Sequence, residues 1–224
     1  ELLREIGVEV APAGGDAALD RARALVAAAI RRRWDEGLIA RDPDGVFTAF
    51  LGSEHIEKLM QPASSRPPIE PVEPFTAPEG TPLGRLAARL DLEESQADLL
   101  ALLLACEIDP ATSRLMSYLG GNQAQFSVTI DLVFETVYRA RGGRHTDASA
   151  LLHRDLGSAA LLRRLRLILV DGADNRVFLA QGIRLHPRMV DFLVQGGRDA
   201  DLTAVAQLVP PMPPPGECDP EALA

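Results

Sequence analysis

The sequence predicts a mainly α domain of the α+β class, a helical bundle that carries one small β-hairpin. Between Thr81 and Gly197, apolar residues recur every three to four positions in a series of short segments. Two of those segments open on Pro82 and Pro110, first-turn positions where the missing N–H does no harm, with Thr81 and Asp109 just before them as caps. Near the end, Leu165 to Val170 and Arg176 to Leu179 read as two strands joined by the turn Asp171-Gly172-Ala173-Asp174-Asn175.

Taken in order, the first helix is predicted over Asp16 to Glu36. Leu19, Ala22, Val26, Ala29 and Ile30 form its apolar stripe, Asp16 caps it and Gly37 ends it. Arg31-Arg32-Arg33 lies near its C-terminus, where cations offset unpaired carbonyls. Asp42-Pro43-Asp44-Gly45 is a turn signature, followed by a short extended run, Val46 to Leu51, and a helix from the cap Ser53 through Met60. Gln61 to Pro82 carries seven prolines and little periodic apolar content, which excludes regular structure. Helices are then expected at Pro82 to Leu90, Glu93 to Glu107, Pro110 to Leu119, Thr129 to Arg141, Asp147 to Leu156 and Ser158 to Arg164. Leu99 to Cys106 is apolar nearly all round and marks the central buried helix. After the hairpin, a last helix runs from Pro187 to Val194 and stops at Gly196-Gly197. The organisation expected is a helical accessory segment over 1–60, a proline-rich linker over 61–81, the main domain over 82–197 and a second proline-rich linker over 198–224. A compact block running out into Pro210 to Pro215 reads as one module of a longer polypeptide.

Composition narrows the function. With 224 residues, 46% apolar and 25% charged, the chain can bury a core without metal or disulfide. Its two cysteines, Cys106 and Cys218, are far apart, and the longest apolar run is far below the roughly 20 residues that span a bilayer, so a cytoplasmic location without membrane attachment is expected. No phosphate-cradling glycine loop, Gly-x-Ser-x-Gly element or metal-binding histidine spacing occurs, so no catalytic, cofactor or metal residue is assigned. Paired acids at Glu93-Glu94 and at Asp199 with Asp201 suit capping and solubility. A net charge of −9 and 4% aromatics disfavour nucleic acid.

One window runs against that balance. Arg139, Arg141, Arg144, Arg154, Arg163, Arg164 and Arg166 face only Asp147 and Asp155 in sequence. Helices followed by a hairpin is the order of a winged-helix module, which can present such a face to a duplex groove. The window also suits protein contact, because arginine stems flank apolar surface and pair with acids. A DNA-binding regulatory module is thus the alternative to a protein-binding one.

Thr81-Pro82-Leu83 with Leu86-Ala87, Leu92, Asp98 to Leu104 and Glu107-Ile108-Asp109 resembles the N-terminal winged-helix region of a group of bacterial AAA+ ATPases. The likeness continues through Tyr118-Leu119, Thr129 to Leu132, Ser158 to Leu169, Ile183-Arg184-Leu185 and Val190 to Leu193, with Phe50 to Leu59 as a preceding element, and covers about two thirds of the chain. Val128 stands where a proline is expected, and Ser95-Gln96 where an aromatic and an acid are common. The resemblance implies a noncatalytic domain that recruits substrate or adaptor proteins, or supports ring assembly, for ATP-driven protein remodelling. It implies a partner ATPase core in the same polypeptide beyond Ala224, holding ATP and magnesium, and a hexamer of the full-length protein. Some relatives are encoded with contractile, phage-tail-like injection systems.

Overall fold

The computed structural model describes residues 15–39, 74–120, 127–141, 144–171 and 177–196. The turn at 42–45, the extended run at 46–51, the helix at 53–60, most of the hairpin turn and the spacer at 198–224 lie outside the described residues. Within them the architecture is mostly helical with one two-stranded antiparallel sheet.

Helix α1 spans Gly15–Asp35, with Asp16 in its first turn and Arg32 and Arg33 in its last, the arrangement that suits the helix dipole. Its stripe of Ala18, Ala22, Leu25, Val26, Ala29 and Ile30 is fully buried in the common core. Three alanines in this stripe, Ala18, Ala22 and Ala29, allow close approach to its neighbours.

The described end of the proline-rich stretch, 74–81, is laid against the bundle, where the Phe75 N–H donates to Glu94 Oε1 at 2.8 Å and Ala77 is buried. Helix α2 (Pro82–Leu90) begins on Thr81, whose hydroxyl accepts from the Gly84 N–H at 2.9 Å, and ends where Asp91 turns left-handed at φ 49°. Gly84 is required by contact: a Cβ built there would sit 2.2 Å from the Pro78 carbonyl oxygen. Alanine is the better helix former by ~0.5–1 kcal/mol, yet Gly84→Ala is expected to destabilise the protein. Denaturant midpoints check this, and a higher midpoint for the variant refutes the close approach.

Helix α3 (Glu94–Ile108) is the predicted central helix, buried without interruption from Ser95 to Ala105. The Gln96 side chain accepts from the Glu93 N–H at 3.1 Å and satisfies one orphan donor of its first turn. Helix α4 (Pro110–Gly120) starts on Asp109, whose carboxylate accepts from the N–H groups of Ala111 and Thr112 at 3.2 and 3.0 Å.

The helix expected over Thr129 to Arg141 is α5 (Ile130–Val133), continued as a π-helical turn over Phe134–Tyr138 that closes when the Arg139 N–H bonds to the Phe134 carbonyl. The Thr136 hydroxyl donates to the carbonyls of Leu132 and Val133 at 2.8 and 3.2 Å, and such back-bonding competes with the α-helical ladder. Helix α6 spans His145–Leu156.

Three expectations near the hairpin are corrected. The helix placed over Ser158 to Arg164 is α7, Leu161–Arg164 only. The first strand starts later than Leu165, as β1 (Ile168–Asp171), because Arg166 takes φ 54° and the chain first turns through the bond from the Leu167 N–H to the Leu162 carbonyl. The returning strand is β2 (Gly182–Leu185), not Arg176 to Leu179; Phe178–Ala180 forms a 3-10 turn. In register, Ile168 faces Leu185 and Val170 faces Ile183, so the apolar sides of both strands meet the core. An isolated bridge from Thr129 to Gly182 adds a rudimentary third strand. Helix α8 (Pro187–Gln195) is capped by His186, whose Nδ1 accepts from the Arg188 N–H, and is ended by Gly196 at φ 75°.

Candidate partner-binding surface

Helix α5 with its π turn, then α6, then the β1–β2 hairpin stand in helix-turn-helix-wing order. The seven arginines of the basic window do not gather on that surface. Arg139 is buried, donating to Glu135 Oε2 at 2.7 Å and to Glu36 of the turn after α1. Arg141 also points inward, pairing with Glu94 at 2.9 Å and with Asp98. Arg154 is half exposed but held by Asp155 at 3.0 Å and Glu93 at 2.9 Å, and Arg163 donates to the Leu156 carbonyl at 3.2 Å. Arg144 flanks the start of α6, and Arg164 and Arg166 bracket Leu165; these three are exposed.

Two buried carboxylates organise this pairing. Asp98 is fully buried on α3; Arg21 of α1 donates Nε and Nη2 to its two oxygens, each at 2.7 Å, and Arg141 reaches it from the other side. Asp155, fully buried near the end of α6, accepts from the Ser95 hydroxyl at 2.5 Å and the Gln96 amide at 3.2 Å in the first turn of α3. An anion at that end of a 15-residue helix is favoured by its dipole. Burial and then Asp155 hold the Tyr138 hydroxyl well above its ordinary pKa.

A third cluster joins the end of α1 to the π turn. Arg33 lies 3.5 Å from Glu135, and Arg32 donates to the Glu135 carbonyl. Burial pushes the Glu135 carboxyl up, but Arg33 and Arg139 outweigh it and leave it below its usual value. Burial lowers the Arg32 guanidinium, partly offset by Glu135. Trp34 donates its indole N–H to the Tyr118 hydroxyl at 2.9 Å.

Asp109 is the clearest source of pH dependence. A hydrogen bond from Arg23, then one from Thr112, hold its carboxyl well below the usual carboxylate range. A depressed acid contributes stability that is present above the unfolded pKa, about 3.9, and is lost as pH falls through the folded value. Asp109→Asn is therefore expected to melt lower at neutral pH and to lose less further stability than the parent below about pH 4. Thermal melts over an acid series check this; parallel curves for the two proteins refute it.

With Arg139 and Arg141 committed inward, what α6 and the wing present is mixed. On α6, Thr146, Asp147, Ala150 and His153 are exposed. On the wing, Val177 and Leu179 are 74% and 39% exposed, while Phe178 between them stacks on the His153 ring with centroids 4.7 Å apart. Single exposed apolar residues are ordinary, but two on a turn anchored by a ring stack make a presented edge. Sequence periodicity assigned these residues to the returning strand and so missed them. Asp98, at the edge of the apolar run, was not singled out, although a carboxylate in a segment that must be buried needs a cation. Its partner Arg21, 77 positions away, carried no local signal.

Among the described residues no group of three or more His, Cys, Asp or Glu could hold a metal ion, and no helix is long and apolar enough to cross a membrane. Burial raises the Cys106 thiol to about 12, which leaves it an inert apolar side chain at neutral pH. A family model described as a winged helix domain, variant, matches residues 75–209, well over half of the chain. No curated protein and no solved structure matches it.

Proposed function

The chain belongs to the winged helix domain family in its variant form, and from that premise we infer a noncatalytic module that binds proteins through the α6 and wing surface. The observation that carries this is the fate of the basic window: Arg139 and Arg141 are internal ion-pair partners, and Arg154 is tied to Asp155 and Glu93. A duplex-binding face needs several free cations against phosphates, since affinity rises with each one neutralised. Here the exposed helix carries Asp147, and the wing offers Val177 and Leu179. Exposed apolar side chains suit a protein partner's apolar groove or strand edge.

We further propose, on the resemblance to the N-terminal region of AAA+ ATPases, that the module serves a protein-remodelling motor, recruiting a substrate or adaptor or supporting a hexameric ring; ATP and magnesium would belong to the motor core. The test of that attachment is the coding sequence beyond Ala224. A glycine-rich loop ending in lysine and a hydroxyl residue supports it, and a stop codon there removes it.

DNA binding is the second reading, favoured by the exposure of Arg144, Arg164 and Arg166. Titration of duplex DNA at low salt separates the two. No measurable binding is expected; binding that collapses with log salt at a slope of several units would transfer the assignment to nucleic acid.

A further inference from the structure

Helix α1 lies before the family-matched segment, yet it fills a face of that segment made by α3, α4 and the π turn. Its attachment is a charge code over an apolar stripe: Arg21 to Asp98, Arg23 to Asp109 and Arg33 to Glu135, with Leu25, Val26 and Ile30 between them. Phe75 lies beside it, its ring centroid 5.3 Å from the Arg21 guanidinium, and sets where the chain returns.

We propose that this acidic, apolar face is a helix-docking site for α1 of a second copy of the chain as well as for its own, so that copies held together exchange α1. The occupant is fixed by complementarity. An α1 from another copy makes the same three ion pairs and buries the same stripe, so docking within and between chains is equal in contacts and differs only in local concentration. Sequence length permits both routes. Thirty-four residues, 40–73, separate Ile39 from Pro74; fully extended they reach at most about 115 Å, several times the ~14 Å radius of gyration of a domain this size. The apolar stripe supplies the attraction and the ion pairs supply registry, since desolvation offsets much of the attraction in a buried ion pair. The inference does not depend on attachment to an ATPase.

Deleting residues 40–73 tests it. From Arg21, beside Phe75, to Asp35 the helix runs ~21 Å, and the single ~3.8 Å step from Ile39 to Pro74 in the shortened chain cannot bring α1 back to its own face. The expected product is a dimer by sedimentation equilibrium, with the emission of Trp34, the only tryptophan, as blue as in the parent. A folded monomer with red-shifted Trp34 emission overturns the proposal. If the shortened chain does not fold, mixing full-length Arg21→Asp and Asp98→Arg chains decides. Alone, the first variant opposes two acids and the second sets a new cation against both Arg21 and Arg141; in an exchanged heterodimer one interface is native and the other restores an opposite-charge pair, with Arg141 still beside the new cation. A 1:1 heterodimer in native mass spectrometry, melting above both components, is expected. A mixture that stays monomeric and melts as the superposition of its components overturns the exchange.

Discussion

Asp98→Ala is expected to lower the unfolding free energy by ~3–5 kcal/mol. The carboxylate is fully buried, and two guanidiniums from different parts of the chain, Arg21 and Arg141, converge on it. Removing it leaves two cations facing each other across a gap, with Glu94 3.7 Å from Arg21 and 2.9 Å from Arg141. The loss reports the orphaned cations and not the net worth of the cluster, which an apolar replacement of all members could match. The triple variant Arg21→Met, Asp98→Leu, Arg141→Met is accordingly expected to recover most of the stability. Urea unfolding curves give both numbers; an Asp98→Ala cost under about 1 kcal/mol would place the carboxylate outside the core.

Leu102→Ala follows, with an expected cost of ~2–5 kcal/mol. Leu102 is completely buried near the middle of α3, surrounded by a helix that is itself buried on every side. Neighbours that are themselves packed cannot collapse into the space left by the lost methyl groups, which argues for the upper part of that range. Helices such as α6, buried on one face only, can relax, and Leu151→Ala there, at a partly buried position, is expected to cost less. Comparing the two variants by denaturation separates cavity formation from simple loss of apolar surface. Equal costs would show that α3 is no more confined than α6.

The helices were legible because their signals are local. Thr81 with Pro82, Asp109 with Pro110, and Gly196 each act within one turn of their own position, and the all-apolar run of α3 identifies the centre without reference to anything else. The hairpin was misread for a related reason. Val177-Phe178-Leu179 and Ile183-Arg184-Leu185 are both short apolar runs, and only pairing with β1 distinguishes them. The ladder selects the second run because Ile183 and Leu185 face the core opposite Val170 and Ile168, while the Phe178 ring finds its partner in His153. The π turn was hidden because Thr136 alone gives no sign of which carbonyl its hydroxyl will choose.

The candidate surface was less legible still. Seven arginines between positions 139 and 166 read as one cationic face, since a sequence records charge but not direction. Glu36, Glu94 and Asp98, which turn two of them inward, come from segments more than forty residues away. What distinguishes Arg144, Arg164 and Arg166 from these is their exposure, a property of the assembled fold.

The Asp155 cap ties the direction of the exposed helix to the interior. Because Ser95 and Gln96 at the head of α3 donate to a carboxylate on α6, swinging α6 away would strip α3 of its anion and strand a charge in the core. A helix tied in this way is a fixed bracket, and a partner docking on it would meet a rigid surface, with adjustment confined to side chains at the rim.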